Sequence, residues 1–334
     1  MSVGDGAVLV TGGLGCIGAW TVRELLVVGV PVVVLDPSED ARRLRHVMSS
    51  DLLHGARLVT GDVTDLRSLD KVLVDHGVDR IIHLAALQIP SCRSNPPMGA
   101  LVNVVGTVNV FEAARRNGIP RVVYTSSIAV FDQDGGHIGA KAVPQPASHY
   151  GVYKLANEGT ARAYWTDFGV SSIGVRPMTV YGPGRDRGLT SSPTKAMLAA
   201  VLGCRYEIGF GGTTVLHHAG DVGRALVRAV QVPLDGAHVV NLNGVRASIS
   251  EVVARLRDLV GASADGITAR TDPLPFPDDI DTTGLEAIGP PPVTPLEDGI
   301  AATVEFFRSL QARGVLRPEE HGLIVEDGVA VDRG

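Results

Sequence analysis

The sequence predicts an α/β fold, with a doubly wound parallel sheet followed by a small C-terminal lobe. Short β-branched runs alternate with helical segments through the first half of the 334-residue chain, as in a series of βαβ units. A glycine-rich turn follows the first run, and proline and glycine become frequent after Arg176. Because crossover helices cover both faces of such a sheet, its strands are expected to be buried.

The predicted elements follow one another in the order that a parallel sheet requires. Helices are expected between most of the strands, and one further strand is expected in the second half of the chain. Strands are predicted at 7–11, 31–35, 57–60, 80–84, 121–125, 171–175 and 238–242, and helices at 17–28, 66–75, 101–116 and 150–168.

The regular alternation of strands and helices ends after Arg176, and this change predicts the domain organisation. Residues 1–176 form the first domain, and about 214–245 return to its sheet. Residues 177–213 and 246–317 form the C-terminal lobe. Residues 318–334 are mostly polar, which predicts a flexible tail.

Composition excludes several classes of protein. The net charge is −6 with no long basic block, which argues against nucleic-acid binding. The short cluster Arg42, Arg43 and Arg45 is interpreted as a solvated helix face. Three cysteines without a CxxC pair indicate neither a disulfide framework nor a metal site. No apolar run reaches the roughly 20 residues of a membrane span. A cytoplasmic enzyme is the resulting expectation.

The turn after the first strand has the pattern of a dinucleotide site. Gly12, Gly15 and Gly18 form GxxGxxG between a strand and a helix. Glycine lets the backbone approach a pyrophosphate, and the helix N-terminus offers free N–H groups and a partial positive charge. Cys16 and Ile17 lie inside this turn and are counted with the cofactor residues. The first domain is therefore predicted to be of the Rossmann type.

Further cofactor residues are expected at the ends of the next strands. Asp36 ends the second strand, where a carboxylate accepts both ribose hydroxyls and repels a 2′-phosphate. This favours NAD over NADP. The remaining candidates end the third and fourth strands, and they are Asp62, Val63, Leu84, Ala85 and Ala86.

A proton-transfer group is predicted downstream. Tyr150 and Lys154 lie one helical turn apart and therefore on one face. A nearby ammonium stabilises a phenolate and lowers the pKa of a tyrosine. Ser126 and Ser127 end the fifth strand, at the sheet edge where open α/β sheets bind ligands.

These residues together resemble the extended short-chain dehydrogenase/reductase superfamily, in its NAD-dependent epimerase/dehydratase branch. The matching motifs cover residues 11 to 183 in the family's order. They are Thr11-Gly12-Gly13-Leu14-Gly15-Cys16-Ile17-Gly18, Asp36, Asp62-Val63, His83-Leu84-Ala85-Ala86, Asn103-Val104-Val105-Gly106-Thr107, Ser126-Ser127, Tyr150-x-x-x-Lys154 and Arg176-Pro177-x-x-x-Tyr181-Gly182-Pro183.

The resemblance implies roles for several residues. Tyr150 would be the proton acceptor. Lys154 would lower the pKa of Tyr150 and also bind the cofactor. Ser127 would supply the hydroxyl beside Tyr150, with Ser126 as the alternative for that role. Pro177 would line the cofactor site. Asn103 is either the family's helix asparagine near the active site or a buried structural amide. A homodimer that pairs the helices at 101–116 and 150–168 is also implied.

Two departures from the family concern the substrate. Relatives that act on nucleotide-diphosphate sugars have an asparagine at the position of Thr179. They also have an arginine that binds the diphosphate at the position of Thr214. Arg185, Arg187 and Lys195 offer replacement cations, or they are solvated surface charges. Thr179, Arg185, Arg187 and Ser127 are therefore the predicted substrate-binding residues. At most one of the adjacent His217 and His218 is expected to face the site.

The sequence therefore predicts an NAD-dependent epimerase of a carbohydrate or related polyol, without an obligatory nucleotide diphosphate. A dehydrogenase that releases NADH uses the same residues and stays open. A dehydratase is less favoured, because Ile128 and Ala129 follow Ser127 where family dehydratases have Asp-Glu. A non-catalytic NAD sensor would not need Ser127, Tyr150 and Lys154.

Overall fold

A seven-stranded parallel sheet forms the centre of the first domain. The computed structural model describes residues 6–131, 136–139 and 141–333. The order of the strands across the sheet is β3-β2-β1-β4-β5-β7-β11. The strands are β1 (Ala7–Thr11), β2 (Val32–Asp36), β3 (Ala56–Thr60), β4 (Val78–His83), β5 (Arg121–Thr125), β7 (Ser171–Arg176) and β11 (Ala237–Asn241).

Helices cover both faces of this sheet, and each face has its own apolar core. On one face Val22 and Leu25 pack with Val222 and Leu226; on the other, Leu69, Phe111 and Ala161 share a core with the strands. The helices of this domain are α1 (Cys16–Val27), α2 (Arg42–Val47), α3 (Ser50–Leu53), α4 (Leu66–Asp75), α5 (Ile89–Ser94), α6 (Pro96–Ala100), α7 (Gly106–Arg116), α8 (His149–Phe168) and α10 (Ala219–Gln231).

The strand order reverses between β1 and β4. The chain winds outward from β1 to β2 and β3, and then returns to pair β4 with the other edge of β1. Ligands of open α/β sheets bind outside the carboxyl ends of the strands at such a switch point. The glycine turn and the segment after β4 meet there, because Leu84 N donates to Thr11 O at 3.0 Å.

The smaller lobe has a core of its own, formed by short strands and helices. Its three-stranded sheet has the order β12-β10-β8. The elements are β8 (Thr179–Tyr181), β10 (Thr213–His218), β12 (Val245–Ser248), α9 (Ser192–Leu202), β9 (Tyr206–Ile208), α11 (Ile249–Val260), β13 (Ile267–Ala269) and α12 (Leu296–Ala312), and β6 (His137–Ile138) pairs with β14 (Asp279–Ile280).

The segment that returns to the main sheet is shorter than the expected residues 214–245. Only β11 pairs with the main sheet, beside β7, and α10 packs on its face with α1. β10 pairs instead with β8 and β12 in the smaller sheet. The polypeptide therefore crosses between the two lobes at several places.

The expected flexible tail is instead a packed segment. A 3₁₀ turn at Pro318–His321 leads into an antiparallel hairpin of β15 (Leu323–Glu326) and β16 (Val329–Asp332). Leu323 and Ala330 are buried in the lobe's core. Each strand is a run of three apolar residues followed by one acidic residue, and these short runs were hidden by the polar composition of the segment. Gly334 lies outside the described residues.

The helix expected at 101–116 is interrupted. Residues Leu101–Val105 form one π-helical turn, and α7 follows from Gly106. Such turns are rare and are frequently found at functional sites. Asn103, which the turn contains, is fully buried. In the described part of the chain, no helix combines the length and apolarity needed to cross a membrane.

Candidate active site

A cleft of about 410 Å³ lies at the switch point. Its walls come from the glycine turn and the ends of β2, β3 and β4. Every residue that the sequence assigned to the turn and to these strand ends lines the cleft, namely Gly12, Gly15, Cys16, Ile17, Asp36, Asp62, Val63, Leu84, Ala85 and Ala86. The volume is in the usual range of roughly 300–1,000 Å³ for ligand sites.

The glycines of the turn are required by close backbone packing. Gly12 has φ +68°, and a Cβ there would lie 2.7 Å from Ala85 N. A Cβ on Gly18 would lie 2.3 Å from Gly12 O. The turn therefore packs directly against α1 and against the segment after β4, and a side chain at Gly12 or Gly18 would separate these parts.

The N-terminus of α1 has the properties of an anion site. Its N-cap, Gly15, supplies no side-chain cap, and the first turn contains no acidic residue. The free N–H groups and the helix dipole favour a bound phosphate. The cleft, the close-packed glycines and this helix end fit the pyrophosphate of a dinucleotide.

Asp36 is held in a fixed position at the end of β2. Its Oδ2 accepts from Leu14 N at 3.1 Å, and its Oδ1 accepts from Ser38 N at 3.0 Å. The nearby cations are already paired: Arg43 binds Asp186, and Arg42 lies near Asp40 and Glu320. A 2′-phosphate would meet a fixed carboxylate here.

We therefore expect the protein to bind NAD at least about tenfold more tightly than NADP. Asp36→Asn should remove most of this preference, because the charge that repels the 2′-phosphate is lost. Dissociation constants from titration of both cofactors test this. Asp40→Asn is the matched control, since Asp40 lines the same cleft, and it should keep the preference. Equal NAD and NADP affinity in the unaltered protein would contradict the prediction.

A second cavity of about 140 Å³ adjoins the cleft. Ile17, Leu84, Ala86, Gln88, Thr125 and Arg185 line both cavities, so the two are continuous. Ser127, Tyr150, Lys154 and Pro177 line the smaller one. The structure therefore brings the predicted proton-transfer residues to the inner end of the cofactor cleft.

Tyr150 and Ser127 are hydrogen-bonded to each other. Ser127 is also fixed from behind, because Ala129 N donates to its Oγ at 3.1 Å. Burial raises the pKa of Tyr150 above its ordinary value, and the bond to Ser127 and the charge of Arg185 offset part of this rise. The two hydroxyls are placed to hold a single substrate oxygen between them.

Lys154 lies behind the tyrosine ring. Its Nζ is 5.6 Å from the ring centre and donates to Thr125 O at 2.7 Å. Burial lowers the pKa of Lys154 to about 8. The ammonium is directed at the Thr125 carbonyl, and burial of the phenol is the largest influence on the raised pKa of Tyr150.

The structure shows the contacts of Ser126 and Asn103, whose roles the sequence left open. Ser126 is buried and bonds Glu158, whose carboxylate also pairs with Arg176 at 2.6 Å. Ser126 therefore connects the end of β5 to α8 and lines neither cavity. Asn103 exchanges two hydrogen bonds with the backbone of Leu87, at 2.7 and 2.9 Å. It is a buried structural amide that fixes the segment after β4.

The structure brings together only two of the predicted substrate residues, Ser127 and Arg185, which both line the smaller cavity. Arg185 lines both cavities and donates to Thr190 Oγ1 at 2.9 Å. The expectation for Thr179 is wrong: the side chain is fully buried and lines neither cavity. Arg187 is exposed and lines the cofactor cleft but not the cavity beside Tyr150. Lys195 is buried against Asp332, 3.2 Å away.

Two parts of the site were not found from the sequence. Phe276 reaches the smaller cavity from the second lobe, in a proline-rich segment without periodicity. Arg43, interpreted as solvated, has a side chain only 15% exposed and forms an ion pair with Asp186 in the cofactor cleft. His217 and His218 line neither cavity.

The sheet order, the glycine turn and the Ser127, Tyr150 and Lys154 set together define a dinucleotide-dependent enzyme of the short-chain dehydrogenase/reductase class. No group of three or more His, Cys, Asp or Glu side chains in the described ranges is placed to hold a metal ion.

Comparison with known proteins narrows this class. The model of the NAD-dependent epimerase/dehydratase family matches residues 8–243. A UDP-glucose 4-epimerase of Mycolicibacterium smegmatis is 34% identical, over 90% of this chain and 98% of that protein. One from Azospirillum brasilense is 30% identical, over 76% of this chain and 77% of its own.

Solved structures have the same fold. MoeE5 in complex with UDP-glucose and NAD superposes with a TM-score of 0.78 at 29% identity, covering 92% of this chain and 100% of MoeE5. A GalE-like L-threonine dehydrogenase from Cupriavidus necator superposes with a TM-score of 0.77 at 24% identity, covering 90% and 99%.

The chain belongs to the NAD-dependent epimerase/dehydratase family. It is an NAD-dependent enzyme with a Rossmann domain, as the sequence predicted, and NAD is its cofactor.

Proposed function

We propose that this protein is an epimerase that inverts a secondary alcohol of a carbohydrate or related polyol that carries no nucleotide diphosphate. The observation that carries this proposal is the hydrogen bond between the two threonines that replace the family's diphosphate contacts. Thr179 Oγ1 lies 2.7 Å from Thr214 Oγ1, and both residues are fully buried. One hydroxyl donates to the other, and neither residue lines the two cavities, so neither hydroxyl faces a bound phosphate.

The cavity beside Tyr150 supports a compact substrate. Its volume of about 140 Å³ is below the roughly 300–1,000 Å³ of sites for drug-sized ligands. Of the three cations that might replace a diphosphate grip, only Arg185 lines this cavity. Its Nε is buried without a hydrogen-bond partner among the described residues. A single guanidinium suits substrate hydroxyls or one compact anionic group, such as a carboxylate.

The chain's own residues would perform the proton transfer. Bound NAD would supply the acceptor, and afterwards the donor, of a hydride at the substrate carbon. Tyr150 Oη accepts the proton of the substrate hydroxyl and later gives it back. Ser127 Oγ hydrogen-bonds the same oxygen, and the Lys154 charge stabilises the phenolate. Inversion requires that the oxidised sugar presents its other face before the hydride returns.

A dehydrogenase that releases NADH is the second candidate, since it would use the same three residues. A threonine dehydrogenase shares this fold, so the fold itself does not require a nucleotide sugar. Absorbance and bound-nucleotide content of the purified protein separate the two: an epimerase retains NAD through gel filtration, and a dehydrogenase loses it.

The substrate class is tested by calorimetry with uridine diphosphate, thymidine diphosphate and UDP-glucose. We expect no binding in the micromolar range, because neither Thr179 nor Thr214 can grip a phosphate. The relatives named UDP-glucose 4-epimerase make this the decisive experiment. Micromolar binding that Arg185→Ala or Arg187→Ala weakens would show that other cations rebuild the diphosphate site and would overturn the proposal.

We also expect a homodimer in solution. Met98, Leu101, Val105 and Val152 are each 41–47% exposed on adjoining segments of α6, the π-helical turn and α8. Adjacent exposed apolar side chains mark an interaction surface. Light scattering at micromolar concentration should give twice the chain mass, and Val152→Glu should give a monomer. Val74→Glu, on α4 and 68% exposed, is the control that should stay dimeric; a monomeric unaltered protein contradicts the expectation.

A further inference from the structure

Arg43 and Asp186 form an ion pair across the mouth of the cofactor cleft. Arg43 lies in α2, after β2, and Asp186 lies in the loop after β8, so the pair joins two distant parts of the chain. Arg43 Nη2 donates to both carboxylate oxygens at 2.8 Å. The side chains are only 15% and 8% exposed. Charge-assisted bonds of this kind are stronger than neutral ones, and burial protects them from screening by salt.

The pair is attached to the glycine turn on one side. Arg43 Nη1 donates to Leu14 O at 3.0 Å, and Leu14 lies inside the turn. Trp20 Nε1 donates to Pro183 O at 3.0 Å, which holds the loop of Asp186 over the start of α1. Arg43 and Asp186 both line the NAD cleft. The loop and the ion pair therefore form a wall of the cleft beside the glycine turn.

The C-terminal segment braces the pair from outside. Glu320 lies 3.7 Å from Arg42, and the ring of His321 stacks on His46 with centroids 5.4 Å apart. Gly322 packs so closely on the Asp186 backbone that a Cβ there would lie 2.3 Å from Asp186 O. The loop that carries Asp186 is therefore held between the glycine turn and residues 320–322.

We propose that Arg43 and Asp186 are a clasp that retains NAD between turnovers and thereby favours epimerisation over net oxidation. This rests on the proposed function, since an epimerase must return the hydride that it has removed. Release of the cofactor requires the loop to move, and the movement must separate two buried charges. The two charge-assisted hydrogen bonds must break before the loop can move, so the effect of the clasp falls on the dissociation rate.

The test is the release rate of an NAD analogue from the full chain. The protein is loaded with the fluorescent etheno-NAD and mixed with excess NAD, with no substrate present. Asp186→Asn and Arg43→Met should each release the analogue at least about tenfold faster than the unaltered protein. The double variant should add little to either single variant, because both remove one interaction. Arg270→Gln, which breaks the exposed pair with Glu207, is the control and should leave the rate unchanged.

If Asp186→Asn releases the analogue at the rate of the unaltered protein, the clasp proposal is overturned. This holds whatever Arg43→Met does, because a direct contact between Arg43 and NAD would then explain any effect of that substitution. If a single variant does not fold, the double variant Arg43→Asp with Asp186→Arg is measured, because it exchanges the two charges. Slow release of the analogue from this double variant supports the clasp, and fast release from the folded double variant overturns it. NADH released per turnover by the unaltered protein is a separate measurement. Stoichiometric release there refutes the epimerase but leaves the clasp to its own test.

Discussion

Tyr150→Phe should lower kcat by roughly 10²–10⁴-fold, the usual contribution of a general acid–base group. The variant keeps the ring that packs at the cavity and loses only the hydroxyl that bonds Ser127. NAD affinity and melting temperature should stay unchanged for that reason. Turnover is followed by NMR detection of the epimer, over a panel of free sugars, sugar acids and UDP-glucose.

Tyr153→Phe is the matched control on the same helix. Tyr153 Oη donates to Pro96 O at 2.9 Å, outside both cavities, so its loss should leave kcat close to that of the unaltered protein. A Tyr150→Phe variant that turns over at a near-native rate would remove Tyr150 from the mechanism.

Gly18→Ala should weaken NAD binding by about 100-fold or more. The added methyl would lie 2.3 Å from Gly12 O and 2.6 Å from Gly13 Cα. Both are backbone atoms that cannot turn aside as a flexible side chain would. α1 must therefore move away from the glycine turn, and the N–H groups at its N-terminus leave the position that suits the pyrophosphate. Calorimetric titration with NAD measures the loss.

The control is Gly159→Ala in α8, where an added Cβ meets no heavy atom within 4 Å. It should bind NAD normally and melt slightly higher, because alanine stabilises a helix by about 0.5–1 kcal/mol relative to glycine. Unchanged NAD affinity in a folded Gly18→Ala protein would mean that the turn tolerates a side chain, contrary to the packing described above.

The sequence predicted those parts of the molecule that depend on local pattern. β1, α4 and β5 have the predicted bounds, because β-branched runs and a single amphipathic helix carry their own periodicity. The glycine turn and Asp36 were found for a related reason: close backbone approach and ribose recognition each demand one residue type at a fixed distance along the chain.

What the sequence missed depends on distant partners. Arg43 in a basic cluster has the pattern of a solvated helix face, and its partner Asp186 lies 143 residues further on. Thr179 and Thr214 are conspicuous only as departures from a family, and nothing local shows that they bond each other. The expected contact of Thr179 with substrate failed because that hydroxyl is used inside the lobe.

The brace formed by residues 320–322 also bears on how the protein matures during synthesis. The ribosome makes the glycine turn, α2 and the loop of Asp186 long before Glu320 and His321 leave the exit tunnel. The nascent Rossmann domain can thus fold and meet NAD while its cleft is still unbraced. On the proposal above, full retention of the cofactor is acquired late in translation, when this segment packs, and a chain that stops short of it would also lose the core contacts of Leu323 and Ala330.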